Sequence, residues 1–90
     1  MCNASYMERN PLRRESVAAE VRAELARQSK TYVSLADATG ISVDTLRRRL
    51  AGLKPFYVEE LASVSRFLGL TVDSLIERAE QHQDAQGGVA

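Results

Sequence analysis

Cysteine occurs once, at Cys2, and histidine once, at His82, so the chain can form no internal disulfide and offers no Cys/His cluster with zinc-ligand spacing. A reducing compartment is the expected setting. No apolar run approaches the ~18 residues that would suggest a membrane span, and the N-terminus has no signal-like apolar segment. A cytoplasmic protein is therefore expected, with no membrane partner. No nucleophile stands in a pattern with a base, no glycine-rich loop is built to cradle phosphate, and no paired carboxylates suggest a catalytic cleft. Catalysis, a cofactor and a metal are not expected, no feature indicates a small-molecule ligand, and Cys2 and His82 are assigned no role. Tryptophan is absent, so an apolar fraction of 44% in 90 residues implies one small domain with a core of Leu, Val and Ala.

What is present is concentrated in residues 35–54, LADATGISVDTLRRRLAGLK. Leu35 and Ala36 face inward from one short helix, and Ala36 is small enough to let a second helix cross close by. Gly40 falls where the chain must turn and accepts positive φ without steric cost. Ile41 is an apolar plug between the two helices. Ser42 has the side-chain oxygen an N-cap needs, and Asp44 puts negative charge in the first turn, where the helix dipole favours it. A new helix is expected from about Val43 to residue 51. Leu46, Leu50 and Leu53 direct one stripe into the core, and Gly52 ends the helix.

Residues 17–79, about two thirds of the chain, resemble the Cro/C1-type (XRE-like) helix-turn-helix domain of phage repressors and related bacterial regulators. Ala36, Gly40, Ile41 and Leu46 match the positions that hold the two helices at their crossing angle. The resemblance implies an all-α fold, a compact bundle of about five helices of the lambda repressor-like DNA-binding type. It further implies sequence-specific binding of a double-stranded DNA operator, with the helix at about 43–51 in the major groove, by a repressor or Cro-like transcriptional regulator of phage or prophage type. The setting would be a bacterial cytoplasm or a phage-infected host cell.

By position in the resembled motif, Val43, Asp44 and Arg47 face bases, and Arg48 faces a base or a phosphate. Arg suits guanine because its fork reaches O6 and N7 together. Val43 would meet a thymine methyl, while Asp44 would accept from cytosine N4, repel wrong registers, or serve only as first-turn dipole partner. Thr31, Tyr32, Ser42, Thr45, Arg49 and Lys54 are candidates for the DNA backbone, where contacts set register without reading sequence. Tyr32 stands where the family commonly places a phosphate-holding glutamine. Arg13 and Arg14 would extend the footprint or pair within their own helix. Two positions depart from the family pattern: Arg49 replaces an aliphatic or aromatic residue and Leu50 a frequent acid. The inward stripe is accordingly expected to run through Leu50, leaving Arg49 at the edge and free to reach a phosphate.

The net charge of zero hides a dipole. Residues 1–55 hold ten Lys or Arg against six Asp or Glu, a balance of +4, and residues 56–90 hold two against six, a balance of −4. Screening over ~8 Å makes such a local imbalance matter more than the total.

Residues 1–10 show no periodicity and read as a flexible arm, 11–80 as the domain, and 81–90 as a flexible polar tail. Asn10-Pro11 is one candidate start for the first helix and Ser16 a rival cap. Val17, Val21 and Leu25 mark that helix's buried side, with its end near residues 28–29. Thr31 caps a second helix burying Val33, Leu35 and Ala36. After the third, a fourth is expected over 57–68, burying Val58, Leu61, Ala62, Val64 and Leu68 and stopped by Gly69. Thr71 caps a fifth, with Val72, Leu75, Ile76 and Ala79 inward. Phe56, Tyr57 and Phe67 read as packing residues. The family usually acts as a homodimer, and the fifth helix, through Leu75 or Ile76, is the candidate surface, although the same residues are needed to close the core. The alternative reading is a protein-interaction module, antitoxin-like or an anti-regulator, that uses the acidic fourth and fifth helices.

Overall fold

Five helices follow one another in the computed structural model, which describes residues 11–87, with side chains described through residue 83. They are α1 (Arg14–Arg27), α2 (Tyr32–Thr39), α3 (Val43–Leu50), α4 (Val58–Leu68) and α5 (Val72–Gly87). No strand occurs among the described residues, so the fold is all-α.

Three helix starts are set by local side chains. Thr31 Oγ1 accepts from the Ser34 N–H at 3.1 Å, Ser42 Oγ from Thr45 at 3.2 Å, and Thr71 Oγ1 from Ser74 at 3.0 Å. Each satisfies one of the orphan donors at a helix N-terminus. α2 ends at Gly40 in the left-handed region, φ 78°. α3 ends in a paired closure, with Gly52 N–H donating to the Arg49 carbonyl and Leu53 N–H to the Arg48 carbonyl. Gly52 has φ 78° and lies against α1: a Cβ there would stand 3.3 Å from Glu15 Cγ.

The core is Val21 and Leu25 of α1, Leu35 and Ala36 of α2, Leu46 and Leu50 of α3, Val64 and Leu68 of α4, and Leu75 of α5. Ile41, Phe56, Leu61 and Phe67 pack around it, partly buried. α1 and α5 form the most extensive helix pair, while α2 packs on both α3 and α4. Burying these side chains is worth ~1.5–3 kcal/mol each and is what holds such short helices together.

The structure differs from the expectations at several positions. α1 is capped neither by Asn10, which lies outside the described residues, nor by Ser16. Its N-cap is Arg13, whose side chain makes no capping bond. Ser16 lies inside the first turn, buried, and its hydroxyl donates to Gln83 Oε1 at 3.0 Å. The same Oε1 accepts the Arg13 N–H at 2.9 Å, and Gln83 Nε2 donates to the Pro11 carbonyl at 2.9 Å. The cap is thus delivered by α5, which continues as helix through Gly87 where a flexible tail was expected from residue 81; 88–90 lie outside the described residues.

Leu53 is 66% exposed because the glycine closure turns the chain off the helical path before it. Val33 and Val58, both in first turns, are 54% and 77% exposed, and Tyr57 is exposed as well. Leu75 is fully buried inside its own subunit and is no candidate for a dimer surface; Ile76, half-buried, lines a small groove with Phe56 and Leu61.

Candidate nucleic-acid interface

α2, the Gly40 turn and α3 set one face of the molecule. Val43, Asp44, Arg47 and Arg48 are all exposed on α3, while Leu46 and Leu50 of the same helix are buried. Spacing of three and four residues separates these two sides. Ser42 and Thr31 spend their hydroxyl oxygens on capping, and Thr31 also donates to Ser34 Oγ at 3.3 Å. Thr45 is half-buried behind Ser42, and Lys54 stands exposed beyond the end of α3.

Tyr32 and Arg47 form the main side-chain link across the turn. Arg47 Nη2 donates to Tyr32 Oη at 3.4 Å, and the guanidinium stands 5.8 Å from the ring centre. Both side chains are exposed, so the link orients Arg47 and leaves the remaining guanidinium donors open to solvent.

Arg49 departs from expectation. It is 8% exposed, and its Nε and Nη2 reach Glu60 Oε1 and Oε2 of α4 at 3.0 and 3.4 Å. Its guanidinium also lies 5.1 Å from the Tyr57 ring. The inward stripe of α3 takes in positions 46, 49 and 50 together, so Arg49 faces α4 and is not free for a phosphate. Burial pushes the Glu60 carboxyl up, but hydrogen bonds from Arg49 and from the Tyr57 N–H outweigh it and hold the group below its usual range.

Arg13 and Arg14 are exposed, and neither makes the intrahelical ion pair that was an alternative: Arg14 Nη1 donates to the Leu53 carbonyl at 3.0 Å, against the α3–α4 turn. Among the described residues no cluster of His, Cys, Asp and Glu could hold a metal ion, and no helix is long and apolar enough to cross a membrane.

No family model and no curated protein matches the chain. A solved structure does: the clp gene regulator ClgR from Corynebacterium glutamicum, 32% identical, superposes with a TM-score of 0.76 over 90% of this chain and 89% of its own. The chain belongs to the helix-turn-helix family of transcription regulators.

α3 is the second helix of the pair joined by the Gly40 turn. Sequence reasoning missed two cations beside it. Arg22 of α1 and Lys30, just before α2, line a groove shared with Tyr32 and Arg47. Both lie outside the motif in sequence, and no local signal ties them to it, because packing of α1 against the α2–α3 unit is what brings them beside Tyr32 and Arg47.

Proposed function

We propose that this chain binds double-stranded DNA sequence-specifically and regulates transcription, with α3 in the major groove. The observation that carries the reading is the exposed set Val43, Asp44, Arg47 and Arg48 on one side of α3, with Arg47 tied to Tyr32 at the start of α2. Val43, Asp44 and Arg47 face bases; Arg48 faces a base or a phosphate. Tyr32, Ser42, Thr31, Thr45 and Lys54 hold the backbone, and Arg13 and Arg14 extend the footprint. Arg49 drops out of that set. ClgR is by name a regulator of clp genes; for this chain the corresponding role is a repressor or Cro-like regulator of phage type, acting in the cytoplasm. It would occupy an operator as a symmetric dimer on half-sites about one helical turn apart and exclude polymerase.

Two substitutions test the assignment. Arg47→Ala is expected to weaken the preferred site roughly tenfold or more and relax preference at one position. Lys54→Ala is expected to weaken all sequences alike and lower the salt slope by about one. Equal, sequence-blind losses from both would contradict the role of Arg47.

A protein-interaction role is the second reading, and the exposed Tyr57 and Val58 beside Glu59 at the start of α4 favour it. Salt separates the two, because binding through several Lys and Arg weakens steeply as salt rises through counterion release.

A further inference from the structure

The open groove beside Tyr32 has a volume of about 700 Å³. Its floor is apolar: Leu25 and Ala26 of α1 on one side, Leu50 and Ala51 at the end of α3 on the other. Arg22, Lys30 and Arg47 stand in its wall, and no carboxylate does. Among the described residues none of the three stands within ion-pair distance of a carboxylate, Asp44 acting on Arg47 only from further off. Arg22 Nη1 donates to the Leu50 carbonyl, Lys30 Nζ to the Phe67 carbonyl at 3.1 Å, and Arg47 to the Tyr32 hydroxyl. Among the described residues, by contrast, Arg27, Arg49 and Arg78 each hold a carboxylate. The groove therefore combines an apolar floor with positive charge that nothing in its wall neutralises, and its size falls in the ~300–1,000 Å³ range of small-molecule sites.

We propose that this groove binds a small apolar anion, an aromatic or alkyl carboxylate. Its body lies on Leu25, Ala26, Leu50 and Ala51, and its acid group pairs with Arg47 and Arg22, whose guanidinium donors now meet only uncharged oxygens. Charge selects an acid: three cations and no carboxylate stand in the wall, so an anionic ligand gains where a neutral or basic one does not. Because Arg47 is shared, an occupant would draw it away from DNA, and ligand and operator would compete. The competition rests on the proposed DNA-binding role; the binding itself does not.

The test is an amide chemical-shift titration of the full chain, without DNA, using 1-naphthylacetate and its neutral counterpart 1-naphthylacetamide. The acid is expected to shift the amides of Ala26, Tyr32, Arg47 and Ala51 and to bind at least tenfold more tightly than the amide. Ala26→Trp, at an exposed position on the floor, should abolish these shifts, and Ala26→Leu carries the same test if the larger side chain prevents folding. Equal binding of acid and amide, shifts elsewhere, or none at millimolar ligand would overturn the proposal. So would binding of an acidic amphipathic peptide where the naphthyl acid fails, which would assign the groove to a protein partner. In a second arm, saturating naphthylacetate should weaken DNA binding of the wild type about tenfold and leave A26W unaffected. Groove binding by a chain with no DNA affinity would sink the DNA-binding reading and keep the site. Groove binding that leaves DNA affinity unchanged would overturn the competition.

Discussion

The α1–α5 brace and the α2–α3 unit use the same charged residue types in opposite ways. In the brace, carboxylates are buried and answered. Glu24, 7% exposed, accepts from Arg27 at 2.8 Å, from Arg78 at 2.9 Å and from Gln28 Nε2 at 2.8 Å, and buried Glu20 accepts from Arg27. In the α2–α3 unit, Arg47 and Arg48 are exposed, and neither pairs with a carboxylate among the described residues. Arg49 marks the border: next in sequence to Arg48, it belongs by geometry to the scaffold. Charge therefore separates into structural and outward-facing classes by helix face and by long-range partner, and a run of three arginines does not itself reveal the division.

The largest expected effect comes from removing the tie between the two ends of the described chain. Gln83→Ala leaves the Arg13 N–H and the Ser16 hydroxyl without their acceptor and should cost about 2–3 kcal/mol in a denaturant titration. A cost within error would show that α5 does not cap α1. Next, Arg49→Ala leaves Glu60, half-buried, with only the Tyr57 N–H as donor and should lower stability by about 2 kcal/mol while leaving base preference intact. Loss of base preference at unchanged stability would instead move Arg49 to the reading face and erase the border.

The brace also predicts a pH dependence. Glu24 is held below its usual value of 4.5, first by the Gln28 hydrogen bond, against the opposing effect of burial, and then by Arg27 and Arg78. A carboxyl whose folded pKa is depressed contributes stability that is present above its unfolded value and lost as pH falls through the folded one. Thermal midpoints should therefore fall below about pH 4.5, and Arg78→Leu should shrink the fall by removing one of these cations. An unchanged acid limb in that variant would show that Arg78 does not hold the Glu24 carboxylate. The smallest effect is a gain. Ser29 closes α1 at φ 56°, with its N–H on Ala26 and the Lys30 N–H on Leu25. Ser29→Gly should stabilise by about 1 kcal/mol, because glycine meets no steric cost there.

Much of the architecture was legible in the sequence because its determinants are local. Thr31, Ser42 and Thr71 cap residues three places on, and Gly40, Gly52 and Gly69 take up positive φ at helix ends. What escaped was set at a distance. Gln83 caps a helix some seventy residues earlier, so the start of α1 and the length of α5 were misread together. Arg49 turned inward because Glu60 waits on α4, a pairing that helical period alone does not disclose. Val33 and Val58 have the hydropathy of core residues, but the first turns of α2 and α4 bring no neighbour over them. The candidate site was legible as a helix and its face; the groove was not, because Arg22 and Lys30 join it only through packing.

Sequence-specific DNA binding is tested most directly by selection from a random double-stranded DNA pool, followed by sequencing, at two salt concentrations with the wild-type chain. An enriched motif whose binding falls steeply with salt is expected. No enrichment, with no affinity even at low salt, would contradict it and shift the function to a protein partner.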